Sequence, residues 1–234
     1  MAAIIFEKVS FGYGREPLFN ELNLHISGNK LTCLLGNTGS GKTTILRLIA
    51  GLEKPSDGKI YIGEKLVSGR NIFVAPSERK TGFVFQDLAL WPHFTVYKNL
   101  AWGLKKQKDA ENKVQDILEF FNIRSLSGRY PHELSGGQKQ LVALARSLVL
   151  EPQILLMDEP LSNLDTKMKA HTHKYILDLK EHFDITIVYV THDYRDAEKL
   201  ADEIILLNEI GEIEVSGQKE AVLSSDAFIS YFHF

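Results

Sequence analysis

The chain has 234 residues, of which 44% are hydrophobic and 24% charged, a balance that is typical of a folded globular protein rather than a disordered one. Its formal net charge of −3 gives no general electrostatic reason to bind along a nucleic-acid backbone, so we expect no nucleic-acid partner. The single cysteine, Cys33, excludes an intrachain disulfide, and no run approaches the roughly 18 apolar residues of a membrane span, so the sequence predicts a cytosolic protein.

The first third of the chain is predicted to form short strands interrupted by one helix. Three β-rich segments, "IIFEKVSF", "LNLHI" and "LTCLL", are separated by the turn signals "GYGREP" and "SGNK". The stretch "GNTGSGKTT" then leads into a helix of about ten residues that ends at Gly51. We expect "KIYIG" and "KLV" to follow as a hairpin.

Helices dominate the predicted middle of the chain. After a short strand in "TGFVFQ", the segment "WPHFT" breaks into a helix that Thr95 caps. A further helix is predicted over "GGQKQLVALARSLVL". Between these two, residues 109–122 repeat apolar side chains at the spacing of one helical face, at Val114, Ile117, Leu118 and Phe121.

Strands and helices alternate in the last part of the chain. A strand in "QILLMDE" precedes a long helix in "TKMKAHTHKYILDLKEHF" and a second strand in "ITIVYVTH". A helix near "YRDAEKLA" and strands in "EIILLN" and "IEVSG" complete the pattern. This alternation predicts an α/β fold with a mainly parallel sheet and crossover helices.

The stretch "GNTGSGKTT" satisfies the P-loop pattern G-x-x-x-x-G-K-[ST] with Gly36, Gly41, Lys42 and Thr43, between a predicted strand and a predicted helix. Glycines let backbone N–H groups converge on phosphate oxygens, and the helix directs the positive end of its dipole at them. The alternative is a glycine-rich turn with a solvated lysine. The P-loop reading predicts a triphosphate ligand with Mg²⁺, with Lys42 at the β- and γ-phosphates and the Thr43 hydroxyl on the metal.

Two carboxylates, Asp158 and Glu159, follow the apolar strand "ILLM". In a parallel sheet they emerge at the same edge as the P-loop, where one can hold Mg²⁺ and the other can polarise water. The alternative is that acidic residues merely end a strand. Kinases, GTPases and motor ATPases share the P-loop, so these two motifs leave the class of P-loop protein open.

The stretch "LSGGQ", Leu134 to Gln138, narrows the choice. Together with the P-loop and "MDEP", it resembles the nucleotide-binding subunit of ATP-binding cassette (ABC) transporters over nearly the whole chain. The resemblance implies one domain over residues 1–234, with an N-terminal antiparallel β-subdomain and an inserted helical subdomain at about 87–150. It also implies a head-to-tail homodimer in which Ser135, Gly136 and Gly137 contact the γ-phosphate bound by the second copy.

Further site residues are implied by the same resemblance. Tyr13 in "FGYG" matches the aromatic residue that stacks on adenine, with a core or turn tyrosine as the alternative. Gln86 in "GFVFQD" matches the glutamine that links the γ-phosphate and Mg²⁺ to the membrane-subunit contact, and His192 in "YVTHD" matches the switch histidine. Asp165 in "LSNLD" resembles the loop that crosses the dimer interface.

The implied site divides by role. The catalytic residues are Glu159, as general base or water orienter, with His192, Gln86 and Lys42, and the metal ligands are Thr43, Gln86 and Asp158. Two other histidines, His171 and His173, lie two apart on a predicted helix and are poor candidates for a metal pair. The residues expected to bind the nucleotide are Tyr13, Gly36, Asn37, Thr38, Gly39, Ser40, Gly41, Lys42, Thr43, Thr44, Gln86, Ser135, Gly136, Gly137, Gln138, Asp158 and His192.

The segments "VFQDLALWPHFTV" and "LSGGQKQLVALARSL" look most like importers for sugars, polyamines, iron(III) or oxyanions, without the C-terminal regulatory domain that such subunits often carry. That family implies permease subunits, a solute-binding protein and a position on the cytoplasmic face of the membrane. Leu141 replaces a usual arginine. The aromatics Phe94, Tyr97 and Trp102 are either a permease-docking surface or ordinary packing. The alternative functions are a soluble cassette ATPase acting on DNA or ribosomes, and a P-loop small-molecule kinase.

Overall fold

The structure is a computed structural model that describes residues 2–14, 16–104, 107–162 and 164–232. Its N-terminal part contains an antiparallel sheet in the strand order β2-β1-β4-β5-β6. Burial alternates along β1, as expected of strands with one face on the core. The strands are β1 Ile4–Phe11, β2 Phe19–Ile26, β4 Asp57–Ile62, β5 Lys65–Gly69 and β6 Ile72–Phe73.

A six-stranded sheet forms the centre of the protein, in the order β11-β10-β3-β9-β8-β7. All neighbouring strands pair in parallel except β10 and β11, which are antiparallel. The central strands β3, β8 and β9 are buried at every position, which is why they read as continuous apolar runs. The strands are β3 Leu31–Gly36, β7 Thr81–Val84, β8 Ile154–Asp158, β9 Thr186–Val190, β10 Glu203–Leu207 and β11 Ile213–Gln218.

Helices cover this sheet, and three of them lie between β7 and β8 in the chain. The predicted cap is confirmed, because Thr95 Oγ1 accepts a hydrogen bond from the backbone N–H of Lys98 at 3.3 Å. Among the described residues, none of the helices combines the length and apolar character that a membrane-spanning segment requires. The helices are α1 Lys42–Ala50, α2 Val96–Ala101, α3 Ala110–Phe120, α4 Gly136–Leu148, α5 Thr166–His182, α6 Tyr194–Leu200, α7 Lys219–Leu223 and α8 Asp226–Phe232.

Two apolar cores lie on opposite faces of the central sheet. On one face, Leu35, Met157 and Tyr189 pack with the helices between β7 and β8 and with α5 and α6. On the other face, Leu34 and Leu156 pack with α1 and with the inward side of the antiparallel sheet. The helix α1, which follows the P-loop, is therefore held between the two sheets.

A buried arginine fastens the end of α1. Arg79 is 3% exposed, and its guanidinium makes five hydrogen bonds that join α1 to the antiparallel sheet. Gly51, at the C-cap of α1, has φ +76°, and a Cβ there would lie 2.5 Å from Arg79 Nε. The guanidinium thus occupies the space that glycine leaves. Its acceptors are Leu48 O and Ile49 O on α1, Val67 O and Ser68 Oγ on β5, and Val74 O.

The expected fold class is confirmed, with a few differences in element length. The strand predicted in "TGFVFQ" ends at Val84, and the one predicted in "ITIVYVTH" ends at Val190. In both cases the strand ends before the polar site residue, Gln86 after β7 and His192 after β9. The helix α8 was not predicted, and neither were β6 and α7, which with two and five residues are too short to show a hydrophobic period.

Candidate active site

The P-loop connects β3 to α1 with a backbone that requires glycine at two positions. Gly41 has φ +92°, and a Cβ there would lie 2.3 Å from Phe19 Cζ. Gly36 has φ +150°, and a Cβ there would lie 2.8 Å from both Leu207 O and Ser40 Oγ. Gly41 is also the N-cap of α1 and makes no side-chain cap bond, so the first N–H groups of the helix stay available to an anion.

Lys42 is folded back across this loop. Its Nζ donates to the carbonyl oxygens of Gly36 at 2.8 Å and Asn37 at 2.7 Å, and the residue is 6% exposed. Burial lowers the pKa of Lys42, while the nearby carboxylates of Glu159 and Asp158 raise it. The ammonium therefore lies at the base of the loop, next to both acids. The outer loop residues Asn37, Thr38 and Gly39 are exposed, and Ser40 is buried.

The hydroxyl of Thr43 is joined to the first of the two acids. Thr43 Oγ1 donates to Asp158 Oδ1 at 2.8 Å, and Asp158 is 6% exposed. Burial raises the pKa of Asp158, and the hydrogen bond from Thr43 lowers it in part. Both residues line a cleft of about 520 Å³ together with Gln86, whose side chain is exposed at its rim.

The donor set of this cleft fits Mg²⁺. A carboxylate, a hydroxyl and an amide oxygen are hard oxygen donors of the kind that Mg²⁺ prefers. The described residues contain no cluster of three or more histidine, cysteine or acidic side chains that could cage a metal alone. In nucleotide sites Mg²⁺ commonly keeps several waters and binds through one or two carboxylates together with phosphate oxygens. Arg47 and Asp87 also line the cleft and were not singled out in the sequence, where no motif marks them.

The second acid and the predicted switch histidine meet at the edge of the sheet. Glu159 Oε2 lies 3.1 Å from His192 Nδ1, and the Glu159 N–H donates to Val190 O at 3.0 Å. Glu159 has φ +43°, in the left-handed region that glutamate rarely adopts. The side chain of Glu159 is 20% exposed and that of His192 is 59% exposed, so both are accessible to solvent.

A buried polar network centred on Asp196 lies near the end of β9, and the sequence did not indicate it. Asp196 accepts hydrogen bonds from Thr191 at 3.2 Å and Tyr189 at 3.3 Å, and its other oxygen lies 2.8 Å from His173 Nε2. Burial raises the pKa of Asp196, but its partners, first His173, outweigh this effect and place that pKa below its ordinary value. His173 is thus paired with an acid, and its expected absence from a metal pair with His171 stays a prediction.

Tyr13 lies beside the P-loop helix with its ring accessible. The residue is 61% exposed, and its hydroxyl is 3.3 Å from Thr44 Oγ1. Its ring meets that of Phe11 edge to face, with centroids 4.9 Å apart. The ring is thus anchored at both ends and offers a face to a base, as adenine stacking would require.

The signature stretch forms the start of α4 and is solvent-exposed at its tip. Ser135 and Gln138 form a capping box, with Ser135 N donating to Gln138 Oε1 at 3.0 Å and Gln138 N donating to Ser135 Oγ at 3.3 Å. Ser135 and Gly136 are exposed, whereas Gly137 is buried against Met168 of α5. Among the described residues, no hydrogen bond or ion pair joins this tip to the P-loop.

Asp165 and Leu141 have structural partners of their own. Asp165 caps α5, its Oδ1 accepting from the Met168 N–H at 2.9 Å, and the neighbouring Asn163 lies outside the described residues. Leu141 is 7% exposed and packs in the core on the helical face of the sheet. An apolar side chain is therefore accommodated where the resemblance expects an arginine.

Comparison with known proteins identifies the family of the chain. The sequence model described as "ABC transporter" matches residues 19–162, which include the P-loop, the signature stretch and both acids. A solved ATP-binding cassette, a dimer in a post-hydrolysis state bound to ADP and Pi, superposes with a TM-score of 0.80 at 29% identity. That superposition covers 92% of this chain and 98% of the other.

Curated relatives match over nearly all of the chain. The sulfate/thiosulfate import ATP-binding protein CysA of Mesostigma viride is 41% identical over 229 residues, which cover 96% of this chain and 64% of the relative. The trehalose/maltose import ATP-binding protein MalK of Thermococcus litoralis is 41% identical over 233 residues, which cover 97% of this chain and 62% of the relative. The chain thus spans less than two thirds of the length of these two relatives. With both the family model and these relatives matching, the chain belongs to the ABC transporter family.

Proposed function

We propose that this chain is the ATP-hydrolysing subunit of an ABC importer and that it works as a pair of copies. The observation that carries the proposal is the convergence of Lys42, Thr43, Asp158, Glu159 and His192 at one edge of the parallel sheet. Both curated relatives described above are named as import ATP-binding proteins. The solute stays open, because the two names give different solutes.

ATP binding would use the P-loop and Tyr13. The triphosphate would lie against the N–H groups at the start of α1, and Lys42 would exchange its two carbonyl acceptors for β- and γ-phosphate oxygens. Adenine would stack on the exposed ring of Tyr13. Mg²⁺, when bound, would neutralise phosphate charge, held by the Thr43 hydroxyl, the Asp158 carboxylate and the Gln86 amide oxygen.

Hydrolysis would depend on the Glu159 carboxylate. It would accept a hydrogen bond or a proton from the attacking water, whose oxygen bonds to the γ-phosphorus as the bond to the β–γ bridging oxygen breaks. ADP and phosphate are the products. His192 would release Glu159 and donate to a γ-phosphate oxygen, while Lys42 would offset the charge on the leaving group. Positioning and electrostatics of this kind account for most phosphoryl-transfer catalysis.

The second copy would complete each site. The tip formed by Ser135 and Gly136 is exposed, and the N–H groups at a helix start are suited to contact a γ-phosphate. Two tips from two chains would close over two nucleotides, and hydrolysis would reopen the pair. This rests on the dimeric cassette to which the chain is similar.

The permease would dock beside α2. A mainly apolar groove of about 370 Å³ is lined by Phe85, Trp91, Trp102 and Leu150. Trp102 is 46% exposed, whereas Phe94 and Tyr97 are partly buried. We extend the proposal to permease subunits at this groove, a solute-binding protein, a position on the cytoplasmic face of the membrane, and a helical subdomain over about 87–150.

The test is Glu159→Gln with Glu181→Gln, an exposed glutamate at the end of α5, as the matched control. Removing a general base lowers turnover by roughly 100-fold or more, and ATP affinity should stay within about twofold. Light scattering should show that Glu159→Gln dimerises on Mg·ATP, whereas a small-molecule kinase would not. Hydrolysis by Glu159→Gln at the rate of the control would refute the role of Glu159, and ATP-dependent cosedimentation with ribosomes or DNA would favour the alternative function.

A further inference from the structure

The loop that follows Gln86 has a strained backbone. Leu88 has φ +62° and Ala89 has φ +45°, so two consecutive residues other than glycine lie in the left-handed region. L-residues avoid this region because Cβ approaches the following carbonyl oxygen. Something outside the loop must hold it in this form.

Arg146, on α4, holds the two strained residues by their carbonyl groups. Its Nη1 donates to Ala89 O at 2.6 Å and its Nη2 donates to Leu88 O at 2.9 Å. The guanidinium carbon also lies 5.1 Å from the ring centroid of Trp91, three residues past Leu88. Burial lowers the pKa of Arg146, and the charge of Asp87 counteracts this. The planar fork of the guanidinium can bind both carbonyl groups and stack near the Trp91 ring at once, whereas the compact ammonium of a lysine cannot.

The same helix carries the signature tip at its other end. Helix α4 starts at Gly136, ten residues before Arg146, so the two lie about 15 Å apart along a rigid element. The neighbouring Ser147 Oγ donates to Phe83 O on β7, the strand that leads to Gln86. The tip of α4 is thus connected to the Gln86 loop through the helix itself and through the guanidinium of Arg146 near its other end.

We propose that Arg146 is a positioning residue that ties the signature helix to the Gln86 loop, so that a shift of either one is passed to the other. The inference rests on the proposed function and deepens it. In the free chain the fork keeps the loop in its strained form, with Gln86 exposed at the rim of the cleft. When a nucleotide engages Gln86, the pull on the loop moves α4, and with it Ser135 and Gly136.

The first test is Arg146→Lys in the full chain, with Arg124→Lys as the matched control. Arg124 is exposed and pairs with Glu119 at 2.6 Å, outside the helix and the loop. We expect Arg146→Lys to lower kcat for ATP roughly fivefold while the Kd for ATP stays within about twofold. A merely structural role predicts instead a lower melting temperature with kcat per folded molecule unchanged, and that result would overturn the inference.

A rescue variant separates loop geometry from general damage. Ala89→Gly removes the cost of a positive φ, so the loop keeps its form with less help from Arg146. Added to Arg146→Lys, it should restore at least half of the lost kcat. No rescue would contradict the mechanism, because the fork would then not act through the loop conformation.

A spectroscopic readout follows the loop directly. The chain has two tryptophans, so in Trp102→Phe with excitation selective for tryptophan, Trp91 beside the Arg146 guanidinium is the sole emitter. Mg·ATP should shift its emission, and Arg146→Lys should abolish the shift. A full shift in Arg146→Lys would refute the inference alone. Failure of the unmodified chain to hydrolyse ATP would instead refute the proposed function together with it.

Discussion

Arg79 offers a test of how the P-loop helix is held in place. In Arg79→Met the apolar stem is nearly preserved, but all five hydrogen bonds are lost. The carbonyls of Leu48 and Val67 keep backbone donors, at 3.3 Å and 2.9 Å. The carbonyl oxygens of Ile49 and Val74 also accept from Arg79. Among the hydrogen bonds of the described residues, they accept from no other group.

The magnitude follows from the acceptors left without a donor, which are the buried Ile49 O and Ser68 Oγ and the partly buried Val74 O. Leaving a buried acceptor without a donor costs about 1–3 kcal/mol each. Part of this is offset, because the buried guanidinium is itself unfavourable, and burial lowers the pKa of Arg79 to about 10. We expect Arg79→Met to lower the free energy of unfolding by about 3 kcal/mol, which for a chain of this size lowers the melting temperature by roughly 6–12 °C.

The assay is guanidinium chloride and thermal unfolding followed by circular dichroism. Arg70→Met, at an exposed position directly after β5, is the control and should change stability by less than about 0.5 kcal/mol. Arg79→Lys should be at least as unstable as Arg79→Met, because it keeps a buried charge and loses the fork. If Arg79→Lys were as stable as the unmodified chain, or Arg79→Met matched Arg70→Met, the reasoning would be wrong.

Two further predictions concern the site. The pKa of Asp196 is lowered in the folded chain, so its contribution to stability is present above its ordinary value of 3.8 and is lost as pH falls through the lower folded value. Acid titration of the unfolding free energy should show this loss, and Asp196→Asn should be less stable at pH 7 and lose less stability than the unmodified chain across that window. Gly41→Ala meets Phe19 Cζ at 2.3 Å with φ +92°, so it should lower stability by about 2 kcal/mol and weaken ATP binding at least tenfold. In calorimetry, Gly128→Ala, which has no atom within 4 Å of its Cβ, should match the unmodified chain, and equal behaviour of the two variants would contradict the steric argument.

Most of the fold could be predicted because its signals are local. The apolar runs of β3, β8 and β9 and the spacing in α3 each report burial of their own segment. The P-loop is recognisable for a similar reason, since its glycines are required by the backbone of that same loop. The division into a single domain with a helical subdomain at about 87–150 stays a prediction.

The contacts between distant residues could not be predicted in this way. Arg146 and Leu88 are 58 residues apart, and Arg79 and Leu48 are 31 apart. Their pairing depends on how helices and sheets pack, which residue spacing does not report. The same holds for the pairing of Glu159 with His192, 33 residues apart, although a parallel sheet made it reasonable to expect both at one edge.

The backbone at Glu159 has a consequence for how this protein can change. A turn with φ +43° is best served by glycine or asparagine, so a glutamate there costs the folded state roughly 1–2 kcal/mol. Variants chosen only for resistance to heat would tend to relax this turn and would discard the carboxylate with it. Thermal stability and ATP turnover thus place conflicting demands on residue 159. Raising the stability without losing turnover requires stabilising changes elsewhere in the molecule.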